Sequence, residues 1–235
     1  CLHLSYIKPH WPYIAPAPYH SLYTPDHILK ANRDHEEKED PHPVVDAFMR
    51  HEESINFSRD EVRETVIPAY MGLVTEIDDH IGRLMDFLEK KELLEKTLIV
   101  FTSDHGDYLG DHWLGEKELF HEETLRIPMI MVDPSEEADS TRGTCDSRFV
   151  ESIDLIPTFL EVLGGDIPGH QLEGKSVLGL IRNLDNSEWR DAVFSEADFA
   201  WRIARLELGL TSDECHAFMV RTERWKYIQY QKVIF

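Results

Sequence analysis

Apolar and polar positions change period several times along this chain. Residues 1–7 alternate loosely and predict a short buried strand. Pro9 and Pro12 then force an extended, irregular loop, which Pro16, Pro18 and Pro25 continue. Residues 30–43 are almost wholly polar and predict a solvated surface excursion, followed by a short helix over 44–53. Ser58, with Glu61 three residues on, reads as a capping box opening a longer helix that Pro68 is expected to kink or divide. Past Pro68, Ile77, Ile81, Leu84, Met85 and Leu88 recur at helical spacing, with Glu76, Asp79, Arg83 and Glu89 elsewhere on the wheel. This is the pattern of an amphipathic helix covering a sheet. Lys90, Lys91 and Lys96 suit the dipole at its carboxyl end.

Two apolar runs, 97–102 and 126–132, predict buried strands joined by a loop to about residue 124; 133–147 is a polar loop. Residues 152–163 form a second amphipathic pattern, with Pro157 tolerable in its first turns and Gly164-Gly165 stopping it. A shorter helix is expected over 174–181. After Trp189 the period falls to two: 191–196, 217–221 and 225–230 read as strands, the last two joined by a turn around Thr222-Glu223. Helices and strands alternate first and an antiparallel patch comes last, which predicts a layered α/β body with a small β appendage.

Charge narrows the partners. Against 24 Lys and Arg stand 45 Asp and Glu, a net charge of −21. Such a surface repels nucleic acid and anionic membranes, so neither is expected as a partner. An anionic substrate would need local positive charge; otherwise the acidity serves solubility. No apolar run approaches the roughly 20 residues that span a bilayer. Cys1, Cys145 and Cys215 show neither CxxC nor zinc-type spacing and are expected to be reduced and structural. No signal peptide is visible and the chain does not open on Met, which leaves cytoplasm and periplasm equally open.

The candidate chemistry begins at Asp104-His105, directly after the apolar run ending at Phe101-Thr102. A carboxylate and an imidazole thus leave a strand at its carboxyl end, where ligands sit in open α/β sheets, with Gly106 expected to turn the chain behind them. Both can face one cation, and mixed O/N ligation suits Mn, Fe or Zn, with Ca also open. The alternative is a turn in which Asp104 caps a loop and His105 bonds locally. Lys117, carried back over such a site, could neutralise an oxyanion or protonate a leaving group; otherwise it is an ordinary surface lysine. His10, between Pro9 and Trp11-Pro12, would have its imidazole held in one pose, or would simply be packed. The chain has 13 histidines, and His20, His27, His35, His42, His51 and His80 are assigned no role.

Taken in order, these residues resemble the sulfatase branch of the alkaline phosphatase superfamily. The matching set is Pro9-His10-Trp11-Pro12, the helix 76–84, Leu93 through Gly106, Gly110-Asp111-His112, Lys117, Glu123, Arg126-Ile127-Pro128, Asp154 through Thr158, Gly174-Lys175-Ser176 and Trp225-Lys226-Tyr227. The stretch from His3 to Tyr19 is most like phosphonate monoester hydrolases and related bacterial arylsulfatases. The resemblance implies an alkaline-phosphatase-like fold: a mixed, mostly parallel sheet between helices, with a small C-terminal antiparallel sheet. Residues 1–188 would be the distal part of the α/β domain and 189–235 the start of a small α+β subdomain. It implies a hydrolase of sulfate, phosphate or phosphonate monoesters acting on a small anionic ester, with homo-oligomerisation open. One divalent cation is implied, Mn or Ca first, then Zn, Fe or Mg. Asp104 and His105 would be its ligands, and His10 and Lys117 would contact the sulfuryl or phosphoryl group and its leaving oxygen.

The family's nucleophile is a formylglycine hydrate made from the Cys of a Cys-x-Pro/Ala-x-Arg motif, and no cysteine here lies in one. The family's other metal carboxylates, early in its N-terminal half, are also absent, and its mid-chain proline-histidine loop falls at residue 10. The chain therefore resembles the middle-to-late portion of such a hydrolase. As it stands it is expected to be inactive by the formylglycine route, to hold metal weakly and to expose apolar sheet edges. The alternative is a non-catalytic, sulfatase-like chain that binds a partner or an anion. A phosphomonoesterase or phosphoglycerate-mutase relative using Ser or Thr with two metals would need more His and Asp ligands than this turn supplies.

Overall fold

In the computed structural model, which describes residues 1–184 and 188–233, the expected strand over 1–7 does not form. Leu2, Leu4, Tyr6 and Ile7 are all exposed. A strand needs a neighbour to take up its amides and carbonyls, and none of the described residues pairs with this segment. The proline-rich segment that follows is irregular, with single turns of 3-10 helix at Tyr19–Ser21 and Pro25–His27.

Two short helices replace the one expected over 44–53. α1 is Pro43–Met49, with proline at its first turn, and α2 is Glu52–Phe57. The longest helix, α3, is Asp60–Lys90. Ser58 does not cap it: its Oγ donates to the Ile55 carbonyl (2.8 Å) and closes α2 instead. Nor does Pro68 divide α3, which runs through it unbroken. One missing amide is offset by close packing a turn later. Gly72 lies so near the Tyr19 carbonyl that a Cβ would come within 2.4 Å of its oxygen. The apolar stripe of α3 is half-buried, and the main partners of this helix are the turns at 19–21 and 25–27 rather than a sheet. Tyr19 Oη to Asp79 (2.7 Å) and Tyr23 Oη to Thr75 (2.8 Å) fasten that contact.

β1 (Ile99–Thr102) and β2 (Met129–Val132) pair antiparallel, Ile99 opposite Val132 and Thr102 opposite Met129, with the short helix α4 (Glu122–Leu125) before β2. Phe101, Ile130 and Val132 are exposed on this pair. α5 (Leu155–Val162) follows a 3-10 turn at Ser152–Asp154, and Gly164, at φ 70°, ends it as the glycine pair predicted. α6 (Leu178–Ile181) is shorter than the expected 174–181. The C-terminal strands β3 (Ala192–Asp198), β4 (His216–Thr222) and β5 (Lys226–Tyr230) form an antiparallel sheet in that order, with α7 (Ile203–Glu207) between β3 and β4. The Thr222 amide donates to the Trp225 carbonyl (2.8 Å), closing the predicted turn.

The core joins α1, the loop 108–120 and the C-terminal sheet: Val44, Ala47 and Phe48 pack with Tyr108, Leu114, Leu119 and Phe120, and these with Phe199, Ala204, Ala217 and Met219. The loop carrying Lys117 is therefore held between helix and sheet. The three cysteines are free; Cys215 is buried in this core, whereas Cys1 and Cys145 are exposed, so a structural role fits only the first. Among the described residues no helix is long and apolar enough to cross a membrane.

Candidate active site

β1 ends at Thr102 and the chain folds back over Ser103–Gly106. The Ser103 hydroxyl donates to the His105 carbonyl (2.9 Å), and the His105 amide donates to Asp104 Oδ1 (3.1 Å). These local bonds orient the two side chains. His105 Nδ1 lies 2.7 Å from the Gly106 carbonyl oxygen, which can only accept, so the ring proton sits on Nδ1. Nε2 faces Asp104 Oδ2 at 3.5 Å and is the nitrogen placed to act as a ligand. An imidazole anchored through one nitrogen on a backbone carbonyl, leaving the other to ligate, is the arrangement of a metal-ligating histidine. Burial pushes the Asp104 carboxyl up, but His105 and the bonds from its own turn outweigh it and hold the group below the usual range. Its side chain is 86% exposed, against 30% for His105. An ionised carboxylate and a ring nitrogen facing one point fit a single divalent cation. Among the described residues, no cluster of three or more His, Cys, Asp or Glu is arranged for a metal.

Gly106 serves close approach rather than the expected turn. Its amide donates to the Thr124 carbonyl (2.9 Å), and any Cβ would collide with the Glu123 carbonyl. The glycine lets α4 lie directly against the Asp104-His105 turn.

The loop leading to Lys117 is tightly wound. Leu109, His112, Trp113 and Glu116 all take left-handed backbone angles, with φ of 46°, 53°, 62° and 63°. Such angles persist only where surroundings impose them. Part of that constraint comes from the polar segment 30–43, which is more than the solvated excursion its composition suggested. The Asn32 carbonyl accepts from the His112 amide (2.9 Å), the Asn32 amide donates to Asp111 Oδ1 (2.8 Å), and Trp113 Nε1 donates to the Asp34 carbonyl (2.6 Å). Buried Arg63 of α3 adds a bond from Nε to the Leu109 carbonyl (3.0 Å). Polar side chains and backbone here satisfy an irregular loop that no ladder could.

So held, Lys117 places Nζ 2.7 Å from His10 Nε2. His10 Nδ1 lies 3.0 Å from the Trp11 carbonyl oxygen and donates to it, so Nε2 accepts from the lysine. The His10 and His105 rings meet edge to face, with centroids 6.0 Å apart. Glu116 Oε2 lies 3.5 Å from Lys117 Nζ. His10, Asp104, His105 and Lys117 are thus linked in one continuous set, though 107 positions separate His10 from its lysine.

Two groups beside this set escaped the sequence reading. Tyr13 Oη donates to Asp107 Oδ2 (2.6 Å) across 94 positions. Burial raises the Asp107 carboxyl above its ordinary range and, with Asp107 beside it, raises the Tyr13 phenol as well. His112 and His121 stack with centroids 4.1 Å apart, His112 reaching Glu37 (2.9 Å) and Glu123 (3.3 Å) and His121 Nδ1 reaching Tyr108 Oη (2.7 Å). Their neighbours in sequence carry no sign of either pairing.

Comparison with known proteins gives a consistent set of relatives. The family model described as Sulfatase matches residues 1–165, and that described as N-sulphoglucosamine sulphohydrolase, C-terminal, matches residues 110–234. The chain is 34% identical over 247 aligned positions to the multifunctional alkaline phosphatase superfamily protein PehA of Trinickia caryophylli, covering 97% of this chain and 47% of the relative. It is 29% identical to an arylsulfatase of Clostridium perfringens, covering 84% and 40%. Among solved structures, the phosphonate monoester hydrolase SpPMH of Silicibacter pomeroyi superposes with a TM-score of 0.88 at 30% identity, over 97% of this chain and 47% of that one. The phosphonate monoester hydrolase of Agrobacterium radiobacter gives 0.84 at 28% identity, over 95% and 47%. The chain spans just under half the length of these relatives.

Proposed function

The chain belongs to the sulfatase family of the alkaline phosphatase superfamily, and from that membership we propose that the protein is a metal-dependent hydrolase of sulfate, phosphate or phosphonate monoesters. It has the α/β fold of that superfamily, with the small antiparallel sheet at its C-terminal end. The observation that carries the proposal is the meeting of Lys117 and His10 beside the Asp104-His105 turn.

Lys117 donates one proton to His10 Nε2 and faces Glu116 at 3.5 Å, so it would turn from these partners to meet an anion. In a chain of net charge −21, that ammonium would supply local positive charge for a sulfate or phosphate ester. From there it would stabilise a developing oxyanion or pass a proton to the departing alkoxide. His10, its tautomer fixed by the Trp11 carbonyl, would hold the lysine in line until an ester enters, and would reach the ester oxygens itself only on releasing the lysine. Asp104 and His105 would hold one divalent cation, Mn or Ca in first place, which supplies positive charge against the sulfuryl or phosphoryl oxygens. The nucleophile in this reading is a formylglycine hydrate. None of Cys1, Cys145 and Cys215 sits in the motif that yields one.

The test uses protein from the complete reading frame, loaded with Mn or Ca and offered 4-nitrophenyl sulfate, 4-nitrophenyl phosphate and 4-nitrophenyl phenylphosphonate. Turnover of at least one, lost in Lys117→Ala, supports the proposal; no turnover of any ends it. A second reading is a sulfatase-like chain that binds anions without cleaving them; a complete reading frame carrying no Cys-x-Pro/Ala-x-Arg motif would favour it. It would show as sulfate or phosphate binding with no hydrolysis.

A further inference from the structure

We propose that Tyr13 and Asp107 act as a positioning pair that sets the pose of His10 against the Asp104-His105 turn, a role that rests on reading this site as a hydrolytic centre. The two residues sit on the two segments that must be held in register. Tyr13 lies three residues after His10 on the proline-rich loop, and Asp107 lies two after His105. Their hydrogen bond, 2.6 Å from Tyr13 Oη to Asp107 Oδ2, ties one segment to the other. The second carboxylate oxygen is also engaged, accepting the Leu109 amide at 3.1 Å, so the acceptor cannot swing away.

The donor is aimed as firmly. The Tyr13 ring meets Phe57 of α2 and Tyr70 of α3 edge to face, with centroids 6.0 Å and 6.1 Å away. Packing against two helices therefore fixes the phenol, and the hydroxyl fixes the turn. The contact between Lys117 and His10 also joins the two segments. Those groups, however, must turn toward an ester to act on it and cannot serve as the clamp. The Tyr13–Asp107 bond needs no rearrangement during turnover.

Tyr13→Phe removes one oxygen and leaves the packing on Phe57 and Tyr70. In the metal-loaded complete protein it is expected to lower kcat by roughly 10- to 100-fold, the scale of a reacting group displaced by about 1 Å, with KM within about twofold. The loss should grow as the leaving group becomes poorer than 4-nitrophenolate, because a misplaced His10–Lys117 pair fails first where protonation matters most. Asp107→Asn keeps one acceptor oxygen for Tyr13 and should retain more activity than Asp107→Ala. A readout that needs no turnover is the ring-proton NOE between His10 and His105 in histidine-labelled protein, present in the parent and lost in Tyr13→Phe. Unchanged kcat with a retained NOE would overturn the proposal. So would a fall in melting temperature with kcat and KM shifting together regardless of leaving group, since that marks a structural role alone. If the parent hydrolyses no ester, the hydrolase reading fails, and the NOE still decides whether this pair positions His10.

Discussion

A Cβ placed on Gly106 would stand 1.9 Å from the carbonyl oxygen of Glu123. No side-chain rotation relieves that, because the obstacle is backbone. Gly106→Ala must therefore push α4 away from the Asp104-His105 turn. It is expected to cost about 1–3 kcal/mol, the range for forcing atoms into packed space, read from the urea midpoint. Because the displaced turn carries both candidate ligands, Mn uptake should weaken in the same variant. Undiminished uptake would mean that the turn moves as a rigid unit.

Removing the lysine tests the chemistry. Lys117→Ala in the complete protein is expected to lower turnover by roughly two to four orders of magnitude, as loss of a general acid or an oxyanion contact does. The bond to His10 Nε2 is lost with it, so the histidine also loses its aim. Near-normal rates with an ester of a poor leaving group would remove Lys117 from the reaction.

The cation has its own test. Asp104→Ala takes away the one carboxylate 3.5 Å from His105 Nε2. Elemental analysis after desalting is expected to show loss of tightly held Mn or Ca, with the variant still folded, since the side chain is largely exposed. Full occupancy would contradict the ligand assignment.

Asp154 should matter for stability alone. It is fully buried and accepts from Arg190 through both oxygens (2.5 and 2.6 Å) and from the amides of Lys175 (2.7 Å) and Glu151 (2.8 Å). These bonds tie the start of α5 to the approach to β3. Asp154→Ala strands two amides and leaves Arg190 with Glu151 (3.0 Å) as its carboxylate, so a loss of about 1–3 kcal/mol is expected in chemical denaturation. A loss under 1 kcal/mol would show that water reaches the vacated site.

What the sequence disclosed tracks how local each signal was. Gly164 ending α5, the turn before Trp225 and the strand before Asp104 depend on neighbours a few residues away, and each is found where the pattern puts it. The segment 1–7 carried the period of a strand, but pairing is a property of two segments and its alternation could not reveal a missing partner. Ser58 had the spacing of a cap yet closes the helix before it, because one hydroxyl between two helices can serve either end. Asp104 and His105 were legible as neighbours. His10 and Lys117 came together in the sequence only through family resemblance, since nothing in either loop names the other. Tyr13 and Asp107, equally remote, had no such help.

His121 gives the chain a pH dependence of known sign. Burial, then the stacked His112, disfavours its charged form more than Glu123 favours it, and the imidazole is pushed down to about 4 from an ordinary 6.5. Between those values the unfolded chain holds a proton that the folded chain excludes. Stability must then rise with pH across that window. The contribution is complete above pH 6.5 and drains away as pH falls toward 4, on the order of 3 kcal/mol in all. Asp107 and Asp111, both raised by burial, titrate in the parent and in a variant alike, so the difference between the two isolates the histidine. His121→Asn keeps a polar atom near Nδ1 for the Tyr108 hydroxyl while removing the titration. Urea unfolding from pH 4 to 7 is expected to show a flatter profile for the variant, with the parent curve falling relative to it toward the acid end. Parallel curves would mean that His121 takes up its proton as readily in the folded chain as in the unfolded one.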